Sequence, residues 1–260
     1  MKIEVLNMIY SPSLEILYKG DQLTFGQKMK AAHDLGFKAY EFWAWWNKDL
    51  NEIAELQQQL GMKAASFCAK FISLVDSSQR SAFLEGLEQS VEAANKLDCK
   101  FLIAQTGNEL EGVSREEQQE SVIEGLRASV PYVAKQGITL IVEPLNTLVD
   151  HKGYYLQTSE EAVHIIKEVN SEHVKVLYDI YHQQITEGNL IPNITNYYDS
   201  IGYFHLADHP GRHEPGTGEI NYTNVLAAIN RLGYNGYIGM EYAPVADASE
   251  SLKAFMRDYA

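Results

Sequence analysis

Four apolar runs in this chain end in a group able to bind a metal: Ile141-Val142-Glu143-Pro144, Leu177-Tyr178-Asp179, Tyr203-Phe204-His205-Leu206-Ala207-Asp208 and Gly239-Met240-Glu241-Tyr242. A carboxylate at the end of an apolar strand is costly to bury alone; it needs a cation or hydrogen bonds. Each residue has a plainer reading on its own. Asp179 can cap a following helix, His205 can be a satisfied core histidine, and either glutamate can be an ion-pair partner. Their joint occurrence at matching depth outweighs those readings. Glu143, Asp179, His205 and Glu241 around one centre form a mixed oxygen and nitrogen set. Such a set suits Mn²⁺, Mg²⁺ or Co²⁺ better than structural zinc, which usually brings thiolates.

Something must hold these four side chains at one level. Eight short runs read as strands: Ile3–Asn7, Ala39–Trp43, Ala64–Phe67, Phe101–Thr106, Thr139–Glu143, Val174–Asp179, Tyr203–Ala207 and Tyr237–Glu241. Amphipathic helices lie between them. Phe83, Leu87, Val91 and Ala94 recur at helical spacing, as do Val122, Leu126 and Val130, and then Ala162, Ile165, Ile166 and Val169. Ser114 with Glu117, and Thr158 with Glu161, read as capping boxes. Gly36, Gly61, Gly137 and Gly233 each stand where a helix should stop before a strand. Strict β–α alternation predicts an α/β fold, a single (β/α)₈ TIM barrel over residues 1–260 as one domain. An open doubly wound sheet would want a phosphate-binding glycine loop, and neither GxGxxG nor GxxxxGK[ST] is present. TIM-barrel enzymes place their chemistry at the C-terminal ends of the strands, where the four residues fall.

Composition narrows the partners. The formal net charge of -14 argues against nucleic acid, which needs a basic surface. A small anion is still acceptable, because one local arginine can outweigh the global field. No apolar run approaches a membrane span, and the N-terminus has no long apolar stretch of a signal peptide. Cys68 and Cys99 sit in apolar surroundings and read as reduced thiols, so a cytoplasmic location is expected. Oligomeric state is not legible, although a homo-oligomer is compatible with everything here.

The pattern resembles the xylose-isomerase-like barrel superfamily and, within it, the hydroxypyruvate isomerase family. The resemblance is carried by Glu143-Pro144-Leu145-Asn146, by Asp179-Ile180-Tyr181-His182, by Tyr40-Glu41-Phe42-Trp43 and above all by the run ADHPGRHEPGTGEINY from Ala207 to Tyr222. It extends over nearly the whole chain. It implies a divalent metal held at the positions of Glu143, Asp179, His205 and Glu241, with the two glutamates as proton donor and acceptor. Some members of the family carry Gln where His205 stands here, and His at this place is usual in the related ketose epimerases.

The chemistry follows from carbon acidity. Aldose–ketose isomerisation moves a proton between adjacent carbons, and the enediolate so formed needs stabilisation, which a divalent cation provides as a Lewis acid. Two bases then remove and return the proton. Glu143 and Glu241 leave different strands and can approach from opposite sides. For hydroxypyruvate, the product is tartronate semialdehyde.

Around this centre, His182 is expected to hydrogen-bond a substrate oxygen, as the resemblance implies. Arg212, in the long loop after the seventh strand, is expected to clamp a substrate carboxylate. A loop-ordering salt bridge to Glu214 or Glu219 is its alternative. Trp43, in the run FWAWW, is expected to wall off water, while Trp45 and Trp46 are equally suited to packing. Asn7, Lys70 and Gln105 end other strands or lie just beyond and are expected near polar substrate groups. His209 and His213 read as loop residues without a second metal. Two other functions fit the same residues: a ketose 3-epimerase or 2-oxotetronate-type sugar-acid isomerase with the same metal site, and a non-catalytic sugar-binding barrel, which would be expected to have lost one of the paired glutamates.

Overall fold

The computed structural model describes residues 8–260. The first half of the chain runs β1 (Ile9–Pro12), α1 (Leu14–Leu17), α2 (Phe25–Asp34), β2 (Ala39–Phe42), α3 (Leu50–Leu60), β3 (Lys63–Cys68), α4 (Arg80–Leu97), β4 (Phe101–Ala104) and α5 (Arg115–Ala134). The second half runs β5 (Thr139–Val142), α6 (Ser159–Val169), β6 (Val174–Asp179), α7 (Ile180–Thr186), α8 (Leu190–Tyr197), β7 (Ile201–Leu206), α9 (Tyr222–Arg231), β8 (Tyr237–Met240) and α10 (Ala248–Tyr259). All strand pairs are parallel, in the order β1-β8-β7-β6-β5-β4-β3-β2. A parallel bridge between Ser13 and Glu41 joins the two outer strands and closes the ring.

The expected strand Ile3–Asn7 lies outside the described residues; among those described, the first strand is Ile9–Pro12, paired along its length with β8. Its four residues carry a serine and end in Pro12, so hydropathy alone gives little sign of a strand. Proline is tolerated there because a strand end can forgo one donor. The other seven strands fall within two residues of expectation.

Strand alternation does the positioning. Ala39, Ala65, Cys68, Ile103, Ile141, Leu177 and Tyr203 form a cluster inside the ring, with Trp43, Phe101 and Tyr237 packed on it. The larger apolar cluster fills the space between strands and helices. Successive side chains on a strand point to opposite faces. Glu143 follows Ile141 by two, Asp179 follows Leu177 by two, and His205 follows Tyr203 by two. All three therefore stand one layer above the apolar floor. Register aligns them: Asp179 pairs with His205, and His205 with Gly239.

The helix boundaries obey local chemistry. Ser114 and Glu117 cap each other reciprocally, whereas at Thr158 only the hydroxyl accepts, from the Glu161 amide. Gly36, Gly61, Gly137 and Gly233 all adopt the left-handed backbone that ends a helix cheaply only at glycine. Both cysteines are buried and free. Among the described residues no helix is long and apolar enough to cross a membrane.

Candidate active site

Glu143, Asp179, His205 and Glu241 converge at the C-terminal mouth of the barrel. Each offers a ligand atom, and these atoms lie within 4.8 Å of one another, all in buried residues. His205 is central. Its Nδ1 is 3.5 Å from Glu143 Oε1, 4.0 Å from Asp179 Oδ2 and 3.4 Å from Glu241 Oε2. Among the described residues, neither ring nitrogen of His205, nor Oε1 of Glu143, has a hydrogen bond of good geometry. Buried polar atoms left open in this way need a partner. Three carboxylates packed this closely, with only part of their charge matched by the protein, fit a divalent cation.

Asp179 serves two elements. Its Oδ1 accepts from the backbone N–H groups of Tyr181 (2.8 Å) and His182 (3.2 Å), capping α7. That fixes the carboxyl so that Oδ2 faces His205. The helix-cap reading of Asp179 is what forms, and the cap leaves its second oxygen free toward the cluster.

The two glutamates sit in different fields. Burial pushes Glu143 above the usual carboxylate range, against the pull of His205. Burial would push Glu241 up too, but Arg212, then His205 and Trp43, outweigh it and hold this carboxyl well below that range. Trp43 Nε1 donates to Glu241 Oε1 at 2.5 Å, and Arg212 Nη2 donates to Glu241 Oε2 at 2.5 Å. Burial raises Asp179 to about 7, with Arg212 opposing. Burial acts to lower His205, yet Glu41 first and Glu241 next keep its imidazole protonated well above the ordinary histidine value. Two carboxylates with opposite shifts are suited to opposite roles in a proton transfer.

The long segment after β7 is built around buried Asp208. Its Oδ1 accepts from the amides of His209 (2.9 Å) and Ile220 (3.1 Å), and its Oδ2 from Gly216 (2.8 Å). Arg212 within it adopts φ +56. A left-handed non-glycine residue costs about 1–2 kcal/mol. The Arg212 carbonyl accepts from the Ala243 amide at 2.9 Å, which ties the turn to the segment after β8. The guanidinium lies 5.4 Å from the Tyr181 ring centroid, and its Nε has no partner among the described residues. The alternative of a salt bridge to Glu214 or Glu219 is not what forms; Glu214 accepts from the Val245 amide and Glu219 from Gln184.

His182 is wholly buried beside the cluster, with Nε2 3.6 Å from Asp179 Oδ2. Its Nδ1 receives the Asn146 side-chain amide at 2.7 Å, which leaves the proton on Nε2. Burial, then Arg212, holds its pKa well below the ordinary value, so it is neutral. His182 thus presents a neutral N–H donor. The His151 ring lies tilted against it, with centroids 5.2 Å apart, and is half-buried.

The remaining expected contacts divide. Trp43 is at the centre. Gln105 follows Phe101 and Ile103 at two-residue spacing, on the inward parity of β4, and is half-buried. Lys70 does not join the cluster. Its ammonium bonds Gln89 of α4 and lies 5.6 Å from the Trp45 ring centroid, because past Cys68 the chain has turned from the mouth toward α4. Asn7 lies outside the described residues. Trp45 bonds Ser90 of α4 at 3.3 Å, and Trp46 packs edge-on against exposed Phe71. His213 bonds the Ala243 carbonyl at 2.6 Å, as a loop residue would.

Glu41 and Asn146 are among the residues at the site that had no role in the reading of the sequence. Glu41 was legible by the argument used for Glu143: it is a carboxylate inside an apolar strand, two residues before Trp43. Asn146 orients His182 while its Oδ1 accepts from the amides of Val149 and Asp150. That is a turn contact which spacing does not reveal.

The family model described as xylose isomerase-like TIM barrel matches residues 29–259. The chain belongs to that family. Hydroxypyruvate isomerase of Escherichia coli K12 is 30% identical over 253 residues, covering 94% of this chain and 96% of that one. The 2-oxo-tetronate isomerase of Cupriavidus necator is 30% identical over 251 residues, covering 94% and 95%. The crystal structure named AP endonuclease, family 2, from Brucella melitensis superposes with a TM-score of 0.91 at 29% identity, covering 96% and 99%. Within the xylose isomerase-like barrels the chain stands with the hydroxypyruvate isomerase family, and it is an isomerase.

Proposed function

We propose that this protein is a divalent-metal-dependent aldose–ketose isomerase of small hydroxy-carbonyl acids, with hydroxypyruvate to tartronate semialdehyde as its first reaction. The observation that carries this is the cluster itself: Glu143, Asp179, His205 and Glu241 within 4.8 Å, with Arg212 bonded to one of them. The four side chains would hold Mg²⁺, Mn²⁺ or Co²⁺. When bound, the cation supplies Lewis-acid stabilisation for the negative charge that grows on substrate oxygen as a carbon-bound proton leaves.

The chain's own residues do the rest. Glu241, held ionised by Arg212, would be the proton acceptor of the pair. Glu143, raised by burial, is fit to carry a proton back to the adjacent carbon. His182 offers its neutral Nε2–H to a substrate oxygen. Arg212 keeps donors beyond the one spent on Glu241, and these suit a substrate carboxylate. Trp43 closes one wall and fixes Glu241 Oε1. The whole chain would act as one catalytic barrel in the cytoplasm.

A second reading, a 2-oxotetronate-type isomerase, is favoured by the equal identity to the Cupriavidus necator relative. The deciding experiment compares kcat/KM for hydroxypyruvate, 2-oxotetronate and free ketoses on the metal-loaded enzyme. Hydroxypyruvate ranking first supports the proposal. A four-carbon acid first moves it to the second reading, and free ketoses first would replace both with an epimerase.

A further inference from the structure

The geometry points to Glu41 as a positioning residue for His205: an anionic acceptor that holds the imidazole by Nε2 so that Nδ1 faces the three carboxylates. The inference rests on the metal reading above. Glu41 is the third residue of β2, on the far side of the ring from β5 and β6. Its Oε1 lies 3.3 Å from His205 Nε2. Its Oε2 accepts from the Tyr203 hydroxyl at 2.7 Å and from Ser66 Oγ at 3.3 Å. Two donors therefore anchor one oxygen and leave the other facing the imidazole at 3.3 Å, within reach of its N–H though not aligned with it.

The two nitrogens of an imidazole lie on different edges of the ring. Nδ1 is the nitrogen near Glu143, Asp179 and Glu241, so a carboxylate on Nε2 is outside the group of four and works through His205. An imidazole nitrogen bound to a cation must be free of its proton, and an acceptor on the other nitrogen selects that tautomer. Glu41 is itself buried, and apart from Tyr203 and Ser66 the polar group facing it is the His205 imidazole. The sequence also makes room for the pair. Gly239 of β8 pairs with His205, and a Cβ there would run into both oxygens of Glu41 and the His205 ring.

The test is calorimetric titration of the metal-free protein with Mn²⁺ alone. The wild type, Glu41→Gln, His205→Gln and the double variant are compared, with circular dichroism to verify folding. Glu41→Gln is expected to weaken Mn²⁺ binding about 10–100-fold. In the His205→Gln background the same substitution should change affinity less than about twofold, because the group it acts through is gone. Unchanged affinity in Glu41→Gln overturns the inference. So does an equal loss in both backgrounds, which would mean Glu41 acts through the fold. Failure of the wild type to bind Mn²⁺ overturns the metal reading itself. Should Glu41→Gln not fold, Tyr203→Phe, which frees Glu41 Oε2, carries the same comparison, with a several-fold loss expected and no loss counting against the inference.

Discussion

Arg212 Nη2 donates to Glu241 Oε2 at 2.5 Å, and this one pair joins the long segment after β7 to the end of β8. It brings a cation from a loop to an acid placed by a strand. It has two consequences for Glu241. The carboxyl stays ionised despite burial, and one of its oxygens points toward His205 at 3.4 Å.

Replacing Arg212 by Lys keeps the charge and loses the planar fork. A hydrogen bond to a charged group is worth about 1.5–3 kcal/mol. The variant should therefore lose roughly 10–100-fold in kcat/KM for a sugar-acid substrate, with KM rising. Steady-state kinetics on hydroxypyruvate measure this. An unchanged KM would remove Arg212 from carboxylate binding.

Glu143→Gln and Glu241→Gln should each lower turnover by about 10²–10⁴-fold, the range of a general acid–base group. Each variant should keep its fold, because the amide fills the same volume. Turnover near the wild-type value in either variant would sink the paired-base assignment.

Much of this site was legible in the sequence because strand parity is rigid. Once Ile141, Leu177 and Tyr203 face inward, Glu143, Asp179 and His205 must follow, and Glu241 joins them from β8. Glu41 obeyed the same rule, but its strand ends in aromatics and its carboxylate serves a histidine far away in sequence. Lys70 was expected near substrate only because it lies just beyond a strand end, and past Cys68 the chain turns and carries its ammonium to Gln89 of α4. Arg212 was expected near the site from its loop, yet its bond to Glu241 depends on a left-handed backbone and on Asp208 gathering three amides. Residue spacing does not encode those contacts. Ile9–Pro12 does not read as a strand in the sequence because it is short and ends in a residue that discourages strands.

Metal affinity should rise with pH. Burial pushes Asp179 to about 7 and Glu143 upward, and His205 holds its proton well above the ordinary value. The folded, metal-free protein then binds more protons than the unfolded chain above the ordinary carboxylate range near ~4. The stabilisation from these three groups is complete below their unfolded values and is lost as pH rises through their folded ones. Glu241 behaves in the opposite sense: its contribution is present above the ordinary glutamate range and is lost as acid protonates it. A cation displaces the retained protons, so apparent affinity should climb by up to about tenfold per pH unit for each proton released. Mn²⁺ titrations at about pH 5.5, 6.5 and 7.5 check this. Affinity independent of pH would contradict the protonation pattern derived for the cluster.

The most direct test is activity of the metal-stripped protein on hydroxypyruvate, before and after adding back Mn²⁺, Mg²⁺ or Co²⁺. The arrangement of Glu143, Asp179, His205 and Glu241 predicts that stripping lowers turnover by at least about 100-fold, since Lewis-acid stabilisation is worth several kcal/mol, and that one of these ions restores it. Full activity in the stripped protein, with no response to any of the three, would contradict the account.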